Sequence, residues 1–246
     1  MTDEPSAADE IMDGVYRALC THGYAGVTMQ DIADECSKSK SLLHYHYDTK
    51  EDLLVAFLDH ILADFEEKVE ETADDPPLVR LTTLLDRFVF DPSESERESF
   101  HIALLELRSQ GPFNERIREQ LDRSDRLLRE TLADIIGEGI EAGQIRDIEP
   151  ERLAALITAA IDGARTRQIT LSEDVLGDDT YTCVTSREVR RRIVEPVLTE
   201  EASLPPVEKT AAGRDDADET TNGVTASDGS ESPSGTADHP DGDWTE

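Results

Sequence analysis

The side chains with chemistry to offer cluster near the start of the chain. Ser39, Lys40 and Ser41 are short or cationic donors heading a brief helical stretch that continues through Leu42, His44 and Tyr45. Lys38 precedes them, and Lys50 heads the next stretch. That set suits a polyanion: short donors approach base edges, while lysines and a helix N-terminus hold phosphates. Two pairs, His44/His46 and Cys20/His22, invite a metal reading. A spacing of two on a helix turns side chains roughly 200° apart, so one ion cannot easily take both, and no metal or cofactor is expected. Cys36 reads as a small buried residue, with redox sensing as the alternative. Arg190, Arg191 and Arg192 spread around one helix, which favours solvated pairing with acids over a nucleic-acid patch. No phosphate loop, metal-ligand cluster or nucleophile–base constellation is present in the sequence, so an enzyme is not expected.

Helices must position these residues. Ile11, Val15, Leu19 and His22 share one face, and Gly23 is suited to end that helix. Thr28 caps a second short helix with Asp31 three residues on. A turn at Ser37–Ser39 leads into a third helix from about Ser39 to Tyr47, and a fourth starts at Asp48 or Thr49. Two short helices joined by a tight turn, with packing helices on either side, form the helix-turn-helix plan, whose second helix enters the major groove. Pro76-Pro77 opens the next helix and Ser93 or Ser95 caps another, before a long helix from about Phe113 to Ala142. Pro150 starts an apolar helix, and Thr185 with Glu188 caps a last one to about Leu198. No segment alternates with the period of a strand, so the fold class is all-α.

Composition narrows the field further. The 246 residues carry 56 acids against 24 Lys+Arg, a formal net charge of −32. Such an acid excess has three readings: disorder, nucleic-acid mimicry or the solvated surface of a protein working in concentrated salt. Helical periodicity beneath the charge favours the last, because at about 1 M salt the screening length falls to ~3 Å. Against that background, Gly14–Tyr47 holds only Asp31, Asp34 and Glu35 against Arg17, Lys38 and Lys40. At the chain's average frequency about eight acids would fall there, and the depletion reads either as a helix core with fewer surface positions or as a face that must tolerate a polyanion. No apolar run reaches the length of a membrane span, and the acidic N-terminus is unlike a signal peptide, so the expected site of action is the cytoplasm without membrane contact.

The run Gly23-Tyr24, Val27–Ala33, Ser39-Lys40, Leu43–Tyr47 and Lys50–Leu53 resembles the N-terminal domain of the tetracycline-repressor (TetR) family over about residues 8–68. The resemblance implies that Thr28 touches phosphate at a helix start. It places Lys40, Leu42, His44 and Tyr45 on the recognition helix and Lys50 on the DNA backbone. Three departures matter. Cys36-Ser37-Lys38 stands where the family usually has Ala-Gly-Val, so Ser37 costs up to ~1 kcal/mol if its φ is positive. Lys38 replaces an apolar residue, leaving open whether its ammonium reaches phosphate. His44 replaces a Tyr, and His46 takes a packing position.

The resemblance further implies that residues 72–198 form a ligand-binding and dimerisation domain, leaning towards the choline-pathway (BetI-type) class from about His101 to Thr170. Phe88, Phe100, His101, Leu104, Arg108, Phe113 and Arg165 are the expected pocket residues, with Phe90 and Glu106 as further candidates. Ordinary core packing and surface ion pairs are the competing accounts. Few aromatics and no Trp in this region argue against a cage for a quaternary ammonium. Leu153, Ile157, Ile161, Val189, Ile193 and Val197 are expected at or near a dimer seam. Residues 199–246, with 13 acids and 2 bases, read as a disordered acidic tail. The whole is expected to be a ligand-responsive repressor binding a palindromic double-stranded DNA operator as a homodimer, with an unknown small-molecule effector. The alternative is an acidic helical interaction module that does not bind DNA.

Overall fold

The structure is a computed structural model, described over residues 6–90, 95–171 and 179–206. The first helix, α1, spans Ala7–Gly26 and is capped by Ser6 and Asp9 in a reciprocal box. Gly23 interrupts it with φ 65°, a left-handed conformation that glycine adopts without a Cβ clash. Then come α2 (Met29–Glu35), α3 (Lys40–His46) and α4 (Lys50–Glu70). Thr28 and Thr49 cap α2 and α4, each paired with an Asp three residues on. The remaining helices are α5 (Pro77–Arg87), α6 (Ser95–Gln110), α7 (Glu115–Glu141), α8 (Pro150–Thr170) and α9 (Tyr181–Val189). A π-helical turn over Arg190–Val194 and a 3-10 turn over Glu195–Val197 close the series. Among the described residues there is no strand, only an isolated antiparallel bridge between Ile145 and Leu198.

Three apolar clusters hold these helices together. The first joins Val15 and Leu19 of α1, Ile32 of α2, Leu43 of α3 and Leu53, Leu54 and Phe57 of α4, and it includes Ala103 from α6. The second gathers Leu81 and Leu85 of α5, Leu132 and Ile136 of α7, Ile157 and Ile161 of α8, then Val194 and Leu198. Leu58, Leu107 and Ile117 form a smaller third cluster.

Several sequence expectations need correction. The last helix starts at Tyr181 with Thr180 as its cap, not at Thr185. Thr182 fixes that earlier start, because its backbone N–H and its hydroxyl both bond Gln168 of α8. The expected tail boundary at Thr199 is also too early. Thr199 donates its N–H to the Gln144 carbonyl, and Ala202 and Leu204 pack on the second cluster. The rest of the expected tail, residues 207–246, lies outside the described residues, as does Ser93. Ile157, Ile161 and Val189 are buried in the chain's own core, so they cannot lie on a seam with a second copy. Of the arginine run, Arg191 and Arg192 pair with Glu188 at the surface as expected, but Arg190 is buried against Asp86.

Ser37 has φ 52°. This is the strain anticipated where the turn lacks its glycine. Ser37→Gly is expected to raise the unfolding free energy by about 1 kcal/mol in urea titrations. An unchanged midpoint would show that the turn tolerates serine without cost.

Candidate nucleic-acid interface and its coupled cavity

The helix expected to read DNA, α3, is built outward from one anchor. Leu43 is fully buried and fixes the rotation of α3, so Lys40, Ser41, His44 and Tyr45 all face solvent. Ser39 caps the helix by accepting the Leu42 N–H, and Leu42 is half-buried. Tyr45 is 82% exposed. An aromatic of that size held in water on a neutral patch of a strongly acidic chain offers both a ring and a hydroxyl to a partner. His46 does not pack in the core as expected. It is exposed, edge-on to the Tyr45 ring at 5.0 Å, because the helix ends there and the next residue, Tyr47, takes the inward position. His22, placed on the apolar face of α1 by spacing alone, is likewise exposed, 4.0 Å from Asp31.

The flanking donors are present but engaged. The Thr28 hydroxyl and N–H both donate to Asp31, whose carboxyl is held below its ordinary range by those bonds. Lys38 forms an ion pair with Glu10 of α1. Lys50 donates to the Tyr24 carbonyl at 3.1 Å, and its ammonium lies 5.1 Å from the Tyr24 ring centroid. These half-exposed lysines are therefore stored against the protein's own surface, and only Lys40 projects without such a contact among the described residues.

Tyr24 leads away from this face. Its N–H donates to Glu106 of α6 at 2.6 Å, and the same carboxylate lies beside Gly23. Glu106 was an expected ligand-orienting group. It instead clasps the α1 kink, because α6 turns that side of the helix towards α1. On either side of Glu106, α6 carries Leu104, Leu105 and Arg108 into a cavity of about 200 Å³. Leu58 and Ile61 of α4, Leu121, Ser124 and Asp125 of α7 and Thr158, Asp162 and Arg165 of α8 line it as well.

Of the expected pocket residues, the structure brings His101, Leu104, Arg108 and Arg165 together. The other three go elsewhere. Phe100 packs between Tyr16 and Phe57, with ring centroids 4.7 and 6.1 Å away. Phe88 lies behind the cavity, its ring 5.0 Å from the Arg165 guanidinium. Phe113 is 87% exposed in the turn that Gly111-Pro112 opens. Phe90 is buried beside His101 and its carbonyl accepts from Gln168, so it is a core residue. Sequence reading missed Thr158, Asp162 and Ser124, whose polar side chains on apolar helices look like ordinary surface positions. Burial, with Arg165 and Arg97 nearby, pushes the His101 imidazole down to about 3, so it is neutral at physiological pH.

Two stretches of the chain match models of one family. "Bacterial regulatory proteins, tetR family" matches residues 11–57, and "BetI-type transcriptional repressor, C-terminal" matches 77–194. A TetR transcription regulator from Haloarcula marismortui is 38% identical, with a TM-score of 0.68 over 78% of this chain and 98% of that one. The chain belongs to the TetR family. It is a DNA-binding regulator of transcription. The transcriptional repressor AcnR of Corynebacterium glutamicum is 25% identical over 170 residues, 68% of this chain and 85% of that protein. A regulator from Saccharomonospora viridis, solved in complex with choline, shares the fold at 23% identity, with a TM-score of 0.65 over 78% of this chain and 98% of that one. Among the described residues no helix is long and apolar enough to cross a membrane.

Proposed function

We propose that this chain is a ligand-responsive repressor, acting in the cytoplasm as a homodimer on a pseudo-palindromic operator. In this reading residues 8–68 bind DNA and residues 72–198 dimerise and receive the effector. One observation carries the DNA-binding part: Leu43 is buried while Lys40, Ser41, His44 and Tyr45 project together from an acid-poor surface. Two such helices a helical turn apart read the two half-sites of an inverted repeat. The outward side of α8 supports a second copy. Ala155, Leu156 and Ala159 are exposed there, and Leu156 is 52% exposed. Small apolar residues on a solvent-facing helix suit close packing against their own symmetry mate.

The cavity gives the effector a route to the DNA-binding face. A ligand that moves α6 moves Glu106 relative to Tyr24, and Tyr24 also holds Lys50. Operator affinity then falls by the difference in ligand affinity between the two arrangements.

The test is enrichment of genomic fragments by the full chain in molar KCl, compared with Lys40→Ala/Tyr45→Ala. One inverted repeat recovered by the native chain and lost by the variant is the expected result. A folded dimer that enriches nothing would favour the interaction module instead. Salt dependence adds a second expected outcome. With Lys38 paired to Glu10 and a net charge of −32, cations must be taken up between the acidic surface and the phosphates. Operator affinity should change little or rise over roughly 0.5–2 M KCl. A steep loss, like that from about six released counterions, would overturn this.

A further inference from the structure

Several buried polar atoms in this molecule have no partner, and they are not scattered evenly. Of seven such side-chain atoms among the described residues, three belong to His101, Thr158 and Arg165. All three residues line the cavity between α4, α6, α7 and α8. A shielded donor or acceptor left without a partner is costly, and three around one cavity suit a ligand that brings a polar group.

Charge states which group. Asp162 is held by Arg108 at 3.0 Å and stands 4.0 Å from Arg165, so one carboxylate is shared by two guanidinium groups. Asp125 is turned to Arg129 at 2.8 Å. Burial and the neighbouring Arg108 and Arg97 destabilise the Arg165 cation more than Asp162 relieves it. The neutral His101 adds hydrogen-bonding capacity without charge. Ser124 and Thr166 add hydroxyls to the lining, and the remaining wall is apolar, from Leu58, Ile61, Leu104, Leu121, Leu128 and Ile169. Among the described residues no Phe, Tyr or Trp lines it, and the Phe88 ring is already occupied by Arg165. A quaternary ammonium would find neither an aromatic cage nor an available carboxylate.

We propose that this cavity receives a small amphipathic organic anion, its carboxylate on the Arg165 guanidinium beside Thr158 and His101, its apolar body along Leu58, Leu104 and Leu121. Arg165 is the specificity-determining residue. The fork of its guanidinium matches a carboxylate, and the Phe88 ring holds that fork from behind. The proposal deepens the ligand-responsive reading and rests on it only for the effect on DNA.

Calorimetric titration of the full chain in molar KCl, with octanoate, octanamide and octyltrimethylammonium as probes, tests it. Octanoate should bind, and the two others at least about tenfold more weakly, the equivalent of one charge-assisted hydrogen bond. Arg165→Gln should lose octanoate at least about tenfold, and Arg165→Lys should restore part of the loss. Should Arg165→Gln fail to fold, Thr158→Val gives a second reading, with octanoate weakened several-fold. Failure of the native chain to bind octanoate, equal or tighter binding of the ammonium, or indifference to Arg165→Gln and Thr158→Val would each overturn the proposal. Parallel operator binding separates the two readings. Octanoate bound through Arg165 with the operator retained leaves the anion site standing and removes the ligand response. Operator binding with no octanoate site does the reverse.

Discussion

Arg190→Met is expected to lower the unfolding free energy by about 3 kcal/mol, whereas Arg191→Met and Arg192→Met change it by less than about 0.5 kcal/mol. Three identical residues in a row thus give two different answers. The Arg190 side chain is 5% exposed, and it donates to Asp86 at 2.6 Å and to the Thr82 carbonyl at 2.9 Å. Removing it leaves a 30%-exposed carboxylate with no counter-charge against the second cluster. The partial exposure of Asp86 places the cost near the low end of the range for broken buried pairs. Its neighbours share one surface glutamate, where side-chain entropy and screening consume most of the attraction. Urea titration at fixed KCl measures all three. Equal losses at the three positions would show that Arg190 is no better buried in solution than its neighbours. Adding Asp86→Leu to Arg190→Met should recover part of the loss, since the stranded charge goes with it.

Gly14→Ala is expected to destabilise the chain by about 2–3 kcal/mol and to weaken operator binding beyond what that loss explains. A Cβ at this position in α1 would stand 2.6 Å from the Cys36 Cβ, 3.0 Å from its backbone nitrogen and 3.1 Å from its Cα. No side-chain rotation relieves a clash with main chain, so the turn itself must move. That turn contains the strained Ser37 and sets the direction of α3, so Lys40 and Tyr45 move with it. Gly137→Ala supplies the control. Nothing lies within 4 Å of a Cβ there, and α7 is helical on both sides. The same change at 137 should therefore stabilise by roughly 0.5–1 kcal/mol. Opposite signs at the two glycines, read from urea titration and operator binding, are the expected result. Stability unchanged by Gly14→Ala would mean that α1 and the turn do not pack closely in solution.

What could be read from the chain was largely local. Thr28 with Asp31, Thr49 before α4 and Pro150 all act within one or two helical turns, and each marks an element end in the structure, whereas Gly23, expected to end α1, kinks it three residues before its end at Gly26. The exposed face of α3 was legible for the same reason, since a short helix with one buried leucine has a single orientation. Long-range choices were not legible. Glu106 meets Tyr24 across 82 positions and Arg190 meets the Thr82 carbonyl across 108, and nothing in either neighbourhood announces its partner. A polar residue beside an apolar stripe turns to the surface, to a cavity or to another helix according to where the other helices lie. Hence Arg165 and Arg108 reached the cavity while Glu106 on the same stretch of α6 did not. Phe113 failed for a related reason: composition counts an aromatic, but the turn after Pro112 directs it into solvent.

Phe57, Leu58 and Phe65 lie within three turns of α4, yet each packs in a different one of the three apolar clusters. The proposed division into a DNA-binding half and a ligand-binding half is therefore one of task and not of cooperativity. Opening the first cluster frees the head of α4, which removes a wall from the cavity and loosens a side chain of the second cluster. Among the described residues there is then no weak plane along which one half can lose order while the other keeps it, and a single calorimetric transition is the expected result. The three clusters are then expected to share one stability, so that whatever tightens the cavity also protects the distant turn from local unfolding.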